Sequence, residues 1–424
     1  MSIGNASSNS NNKSWVLRNC TYFDGHSADL HEGQDIVIEN GSIKDIVKTA
    51  SNRIGAKEVN LKGLTLIPGL IDAHVHVYAA GLDLTANMRR PFTYLAQYAN
   101  RFLSRVLSNG FTTIRDVGGG DYGLSQAIDD GLVVSPRLFY GGRILSQTGG
   151  HGDWRPPFED DPAAYICNCG TTDQKIAVLA DGKESVLRAV REELRHGASH
   201  IKILASGGVA SPSDPVDDLQ FSDEEITAIV DECTRRHVYV AAHCHPASAI
   251  ERSVRLGVRT IEHGTLIDDE TAAFVANSSS YIVPTMAVIN ALYTDGEALG
   301  LPAASVEKIR DIHGKALAGL EIMKKAGLRL GFGTDLLGPQ HDRQGTEFSL
   351  RKDVFTPLEI LRQATSINAE ILQQVDKLGC IKPGAFADLI AVKGNPLDDI
   401  EVLNKKGESL ALIMKAGDMY RDCI

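Results

Sequence analysis

Between residues 71 and 334 the chain repeats one pattern: a short apolar run, then a stretch of helical period, often closed by glycine. The apolar runs predict strands at 71–77, 112–116, 137–142, 200–204, 238–243, 260–263, 281–284 and 328–334. Helical period marks 92–107, 183–195, 222–236, 247–256, 269–276, 303–326 and 356–375. Gly110, Gly197, Gly257 and Gly327 follow such stretches, where a left-handed closing residue is expected. Ser222-Asp223-Glu224-Glu225 has the spacing of a capping box. Eight strands alternating with helices predict an α/β fold, a (β/α)8 TIM barrel over 67–377. An open, doubly wound sheet is the alternative. No glycine-rich phosphate fingerprint follows the first strand, which counts against it.

The flanks read differently. Short strand-like pieces punctuated by Gly and Asn fill 15–66, and apolar runs of similar style fill 378–424. Neither flank has enough apolar residues for its own core, so the two are expected to form one small β-sandwich domain. Residues 1–14, rich in Asn and Ser, are expected to be a disordered tail.

The 424 residues carry a net charge of −11 with no basic block, which argues against nucleic acid or an anionic membrane as partner. No apolar run approaches the roughly 20 residues of a membrane helix. The first residues lack an apolar signal core, and the seven cysteines are odd in number and scattered. A reducing, cytoplasmic setting is therefore expected. Cys167 and Cys169 form a C-x-C pair with no companion pair.

A barrel of this kind presents its chemistry at the C-terminal ends of the strands. The run Leu66–Ala73 leads into His74-Val75-His76, and residues two apart in a strand share a face. The fourth strand carries Lys202. The fifth ends in His243, the sixth in His263 and the eighth in Asp335. Each alone could be a satisfied polar residue or a helix cap; together they form a set of metal donors. Lys202 on an apolar strand has two readings. It pairs with a buried carboxylate, or burial depresses its pKa and the neutral amine takes up carbon dioxide as a carbamate.

With His74, His76, Lys202, His243, His263 and Asp335 in these places, the chain resembles the amidohydrolase superfamily over nearly its full length. Residues 379–390, GCIKPGAFADLI, resemble that family's return into its small β domain. The resemblance implies a binuclear site, usually zinc. His74, His76 and Asp335 would hold one ion, and His243 and His263 the other. Lys202, modified to N6-carboxylysine, would bridge them. Asp335 would take a proton from the attacking water and deliver it to the leaving amine. Single-metal deaminases of the superfamily lack the lysine ligand, so Lys202 argues against deamination. Homo-oligomers, up to octamers, occur in the family.

Two loops resemble the subgroup that includes ochratoxinase and carboxypeptidase-like Xaa-Pro, Arg and Lys amidohydrolases: 146–153, SQTGGHGD, and 205–209, ASGGV. They supply His151, Asp153, Gly207 and Gly208 as substrate-binding candidates, and His151 also as a catalytic one. His245, two residues past His243, is another. Tyr239 reads as packing. The long 153–182 segment, with Trp154, Arg155 and Tyr165, reads as a lid or subunit contact, and 340–347 as a second rim. Arg155 is either a partner for a substrate carboxylate or a solvated loop charge. The implied substrate is an N-acyl amino acid or dipeptide with a free carboxylate, ochratoxin A among them. A cyclic-amide hydrolase of imidazolonepropionase or hydantoinase type is the alternative.

Overall fold

The computed structural model describes residues 14–51, 55–155, 176–211 and 214–424. The first barrel strand, Leu70–Val75, pairs in parallel with the second, Phe111–Asp116, which pairs with Arg137–Tyr140. The third strand is split. After Gly141-Gly142 it resumes as Ile144–Ser146, and Leu145 pairs with Ile203 of the fourth strand, His200–Leu204. Tyr239–Pro246, Thr260–Leu266 and Tyr281–Val283 follow in parallel order.

The predicted eighth strand forms only one bridge, Leu330 to Ile282. Its backbone nevertheless closes the circle. Gly331 N donates to Ile282 O (2.8 Å), Ala73 N to Phe332 O (2.9 Å) and Asp335 N to His74 O (2.8 Å). A Cβ added at Gly333 would lie 2.7 Å from the Cβ of His74, so the eighth strand can lie this close to the first only with glycine there. The expected barrel is present. A three-residue strand, Ala177–Leu179, adds to its third strand; its apolar run, 176–180, lies inside the segment read as a lid or subunit contact.

The predicted helices fall where the period placed them, with one exception, while Leu84–Met88, Tyr122–Asp129, Met286–Asp295 and Thr346–Arg351 are helices that were not predicted. The stretch expected as a single helix over 356–375 is Pro357–Arg362, then a π turn at Gln363–Ile367, then Asn368–Ile371. The widened turn lets Asn368 reach between two barrel strands. Its amide donates to Ile71 O (2.7 Å) and Phe332 O (2.8 Å) and accepts from Phe332 N (3.1 Å).

Both ends of the chain build one sheet. Thr65–Pro68 pairs antiparallel with Leu389–Val392 and parallel with Trp15–Tyr22. The sheet folds over, since Ser42 at one edge bridges to Phe386. Leu17, Ile36, Ile38, Leu66, Leu389 and Leu412 meet inside it, each fully buried. Through Gly69 this sheet runs straight into the first barrel strand. Among the described residues no helix is long and apolar enough to cross a membrane.

Candidate active site

The C-terminal ends of the strands bring together every metal-ligand candidate. His74, His76, Lys202, His243, His263 and Asp335 line one pocket, with His151 and His245 beside them. Asp335 stands at the centre: its Oδ1 lies 3.4 Å from His74 Nε2 and 3.3 Å from His76 Nε2, and its Oδ2 lies 3.9 Å from His263 Nδ1. The rings of His243 and His263 meet edge to face at 4.5 Å. Donor atoms of His74, His263 and Asp335 all fall within 4.8 Å of one another. That trio draws one histidine from each of the two expected sets, so the donors form one continuous cluster. Such convergence of imidazoles and a carboxylate fits divalent metal.

The backbone is bent to achieve this. In a regular strand, neighbours face opposite ways. His263 (φ +73°), Thr285 (φ +50°) and Asp335 (φ +54°) adopt left-handed conformations, costing about 1–3 kcal/mol each. The bend at His263 lets it share the barrel interior with Glu262, the residue just before it. Thr285 in turn places its Oγ1 2.7 Å from His263 Nδ1.

Electrostatics favour the metal-binding forms. Burial, helped by nearby imidazoles, holds His243 well below the usual histidine range. Burial does the same to His263, against the pull of Asp335. Their ring nitrogens are then free to act as ligands. Burial pushes Asp335 up, but His74 and His76 outweigh it and hold the group well below the ordinary carboxylate range. Asp335 is thus an anion. Burial lowers Lys202 to about 8, with Glu262 and Asp335 partly opposing. The lysine is 2% exposed and its amine is partly neutral near neutral pH.

The loops place the other candidates less uniformly. His151 stacks on His243 at 4.5 Å, and its Nδ1 lies 2.8 Å from Ser211 Oγ and 3.4 Å from Asp214. Ser211 donates to Asp214, so a buried Asp–Ser pair orients the ring. His245 is buried with Nδ1 3.2 Å from Thr265 Oγ1, and burial pushes it down to about 3. Gly208 allows close approach: a Cβ there would lie 2.5 Å from His151 Nε2 and 2.7 Å from His243 Nε2. Gly207 packs under Pro215 in the same way, and Val209 and Ala210 form the pocket wall next to it. Asp153 accepts from Arg155 Nε (2.7 Å) and Nη2 (2.6 Å) and from Gly149 N (3.0 Å), so the loop's own cation engages it. Tyr239 packs flat on His200, as expected. Of the segment after Arg155, residues 156–175 lie outside the described residues, and so do Tyr165, Cys167 and Cys169. The rim at 340–347 contributes Gln344, whose amide donates to Asp72 (2.8 Å), which in turn accepts from Thr334.

Several contributors escaped the sequence reading. Arg115 and Glu262 lie under His74, Thr285 behind His263, and Asp214 behind His151. Lys308 donates to the carbonyls of Gly208 (3.0 Å), Ser211 (2.9 Å) and Asp214 (2.6 Å), tying that loop to the helix Ala303–Lys325. A signal existed for Arg115 and Glu262: a charged residue inside an apolar strand needs a partner. Above the donors the pocket wall is apolar, with Trp154, Ile176, Leu204, Ile289, Leu292 and Ile312.

The sequence pattern of the Amidohydrolase family matches residues 65–418. Ochratoxinase of Aspergillus niger is 33% identical over 373 residues, covering 84% of this chain and 75% of that protein. Among solved structures, an amidohydrolase superposes with a TM-score of 0.94 at 46% identity, over 96% of this chain and 99% of that one. A prolidase complexed with N-methylphosphonate-L-proline superposes at 0.93 with 41% identity, over 96% and 100%. The fold, the convergent donors and these likenesses agree: the chain belongs to the amidohydrolase family, as a hydrolase of amide bonds.

Proposed function

We propose that the protein hydrolyses the amide bond of N-acyl amino acids or dipeptides that carry a free C-terminal carboxylate. Ochratoxin A, cleaved to ochratoxin α and L-phenylalanine, belongs to this class. The observation that carries the proposal is the pocket itself: metal donors at its floor beneath apolar walls of Trp154, Ile176, Leu204, Ile289, Leu292 and Ile312. Such walls suit an apolar acyl group or side chain on either side of the scissile bond.

His74, His76 and Asp335 would hold one divalent ion, His243 and His263 the other, with carboxylated Lys202 between them. Zinc fits a donor set this rich in imidazole. When bound, the ions lower the pKa of a water molecule and polarise the scissile carbonyl. Asp335 accepts the proton of the attacking water and passes it to the amine nitrogen as the C–N bond breaks. Its depressed pKa keeps it an anion at neutral pH, unprotonated before the step. His151, fixed through Nδ1 by Ser211 and Asp214, would donate from Nε2 to the carbonyl oxygen or to the substrate carboxylate when its ring carries a proton on both nitrogens. His245 stays neutral and lines the same wall. Gly207 and Gly208 let the loop lie over the imidazoles, and Asp153 with Arg155 shapes the rim. The proposal also takes the enzyme as a homo-oligomer in a reducing compartment. Free thiols at Cys20, Cys233, Cys244, Cys380 and Cys423 accord with the latter.

The test is a substrate panel read by released amino acid: acyl-phenylalanines, ochratoxin A and Xaa-Pro dipeptides against hydantoins and imidazolone propionate. Turnover of the open amides is expected. Turnover of the rings alone would replace the proposal with a cyclic-amide hydrolase.

A further inference from the structure

Beneath the donors, the barrel interior holds a closed chain of polar groups. His74 Nδ1 lies 2.7 Å from Glu262 Oε2. Arg115 Nη2 donates to both oxygens of that carboxylate, at 2.8 and 2.9 Å. Thr260 Oγ1 donates to Glu262 Oε1 (2.7 Å) and accepts from Arg115 Nη1 (3.0 Å). Arg115 Nε donates to Ala73 O (2.5 Å), the carbonyl adjoining His74. Arg115, Thr260 and Glu262 are fully buried and His74 is 1% exposed.

An ionised carboxylate only accepts hydrogen bonds, so Nδ1 of His74 carries the proton. Its Nε2 is left with a lone pair on the Asp335 side. The other donors have weaker partners behind them. His76 Nδ1 meets a carbonyl, Gly118 O at 2.9 Å, and His263 Nδ1 meets the hydroxyl of Thr285. An anionic partner raises the basicity of a ligating imidazole more than a neutral one does. Arg115 also fixes the carboxylate in place, because its Nη2 holds both oxygens while its Nη1 holds Thr260 beside them.

We propose that Glu262, clamped by Arg115, is a positioning residue that makes His74 the strongest imidazole ligand, so that the ion held by His74, His76 and Asp335 binds more tightly than its neighbour. This inference rests on the binuclear reading above. Its consequence is stepwise metal loss: a chelator removes the ion on the His243 and His263 side first.

Chelator competition, followed by bound zinc per chain, tests this on the full-length protein loaded with zinc and bicarbonate. The wild type is expected to release its ions in two separate steps. His76→Asn trims only the site that His74 serves and must weaken the tighter step. Glu262→Gln keeps an acceptor for His74 but removes the charge, and is expected to weaken the tighter step about 10- to 100-fold while the other moves less. Because Glu262→Gln strands the Arg115 charge, the double variant Glu262→Gln/Arg115→Met is measured beside it. Equal affinities in the wild type overturn the inference whether or not the variants fold. So does a His76→Asn variant that loses the weaker step, or a folded double variant with unchanged affinities. No zinc uptake by the wild type would instead defeat the binuclear reading itself.

Discussion

The floor of the barrel and the sheet built from the two chain ends are both sealed from water, yet they are filled with opposite chemistry. Inside the sheet lie Leu17, Ile36, Ile38, Leu389, Leu412 and Met414. Under the pocket lie Arg115, Lys202, Glu262 and His74, at 0–2% exposure. Burying apolar side chains stabilises by about 25 cal/mol per Å². Burying ion pairs contributes little or even costs stability, because desolvation offsets the attraction. The contrast teaches where stability and activity are made. The sheet holds the molecule together, while the barrel floor keeps charges in place for the pocket above. Substitutions should therefore separate the two properties.

Lys202→Ala should give the largest effect. With no carbamate to hold the ions, activity should fall about 10³-fold or more, since the ions contribute several kcal/mol to catalysis. Stability of the metal-free protein, measured by urea titration, should stay the same or rise, because a buried amine has been removed. Short carboxylic acids should restore part of the activity by standing in for the carbamate. Full activity in this variant would refute the bridging role and erase the contrast.

Asp335→Asn should lower kcat by about 10²- to 10⁴-fold, the usual worth of a positioned proton-transfer group. Asparagine tolerates the left-handed backbone at this position, so the fold should persist. A near-normal kcat with intact metal content would remove Asp335 from proton transfer. Leu389→Ala makes the converse cut. It opens a cavity in the sheet and should cost about 2–5 kcal/mol of unfolding free energy. The folded fraction should keep kcat and KM within about twofold. A selective fall in kcat would mean that the sheet tunes the pocket after all.

The same contrast explains what could be read in advance. His74, His76, His243, His263 and Asp335 announce themselves because strand period and barrel topology together place strand ends in one ring. Glu262 did not, although it adjoins His263, because regular alternation would turn the two residues to opposite faces. Only the left-handed backbone at His263 reconciles them, and nothing in the local sequence marks it. Arg115 meets Glu262 across 147 residues of chain, a separation over which periodicity carries no information about partners. The break at Gln363–Ile367 hid for a related reason: a π turn keeps helical composition and shifts only the register. The apolar pocket wall was invisible as a wall. Ile289, Leu292 and Ile312 lie on helices, where apolar residues usually signify core.

The smallest effect is a pH dependence that sharpens the reading of Lys202. Burial lowers the amine to about 8, from 10.5 for a free lysine. Two slopes follow, and they can be measured separately. The unfolded chain holds the Lys202 proton more tightly than the metal-free folded one. The penalty of burying the cation is therefore present in full below pH 8 and is relieved as pH rises from 8 toward 10.5. Urea midpoints of metal-free protein should rise across that window, and Lys202→Ala should flatten the rise. Carbamate formation needs the neutral amine, whose fraction falls about tenfold per pH unit below the pKa. At fixed dissolved carbon dioxide, zinc-dependent reactivation should accelerate about tenfold from about pH 6 to pH 7 and level off above 8. His76 adds its own pH dependence: burial lowers it, but Asp335 outweighs burial and raises it above the usual histidine value. Acetate-rescued Lys202→Ala provides the control, keeping the His76 contribution while losing the lysine's. A reactivation profile identical in the two proteins would assign the whole pH dependence to the imidazoles and leave Lys202 as a buried cation in the field of Glu262 and Asp335.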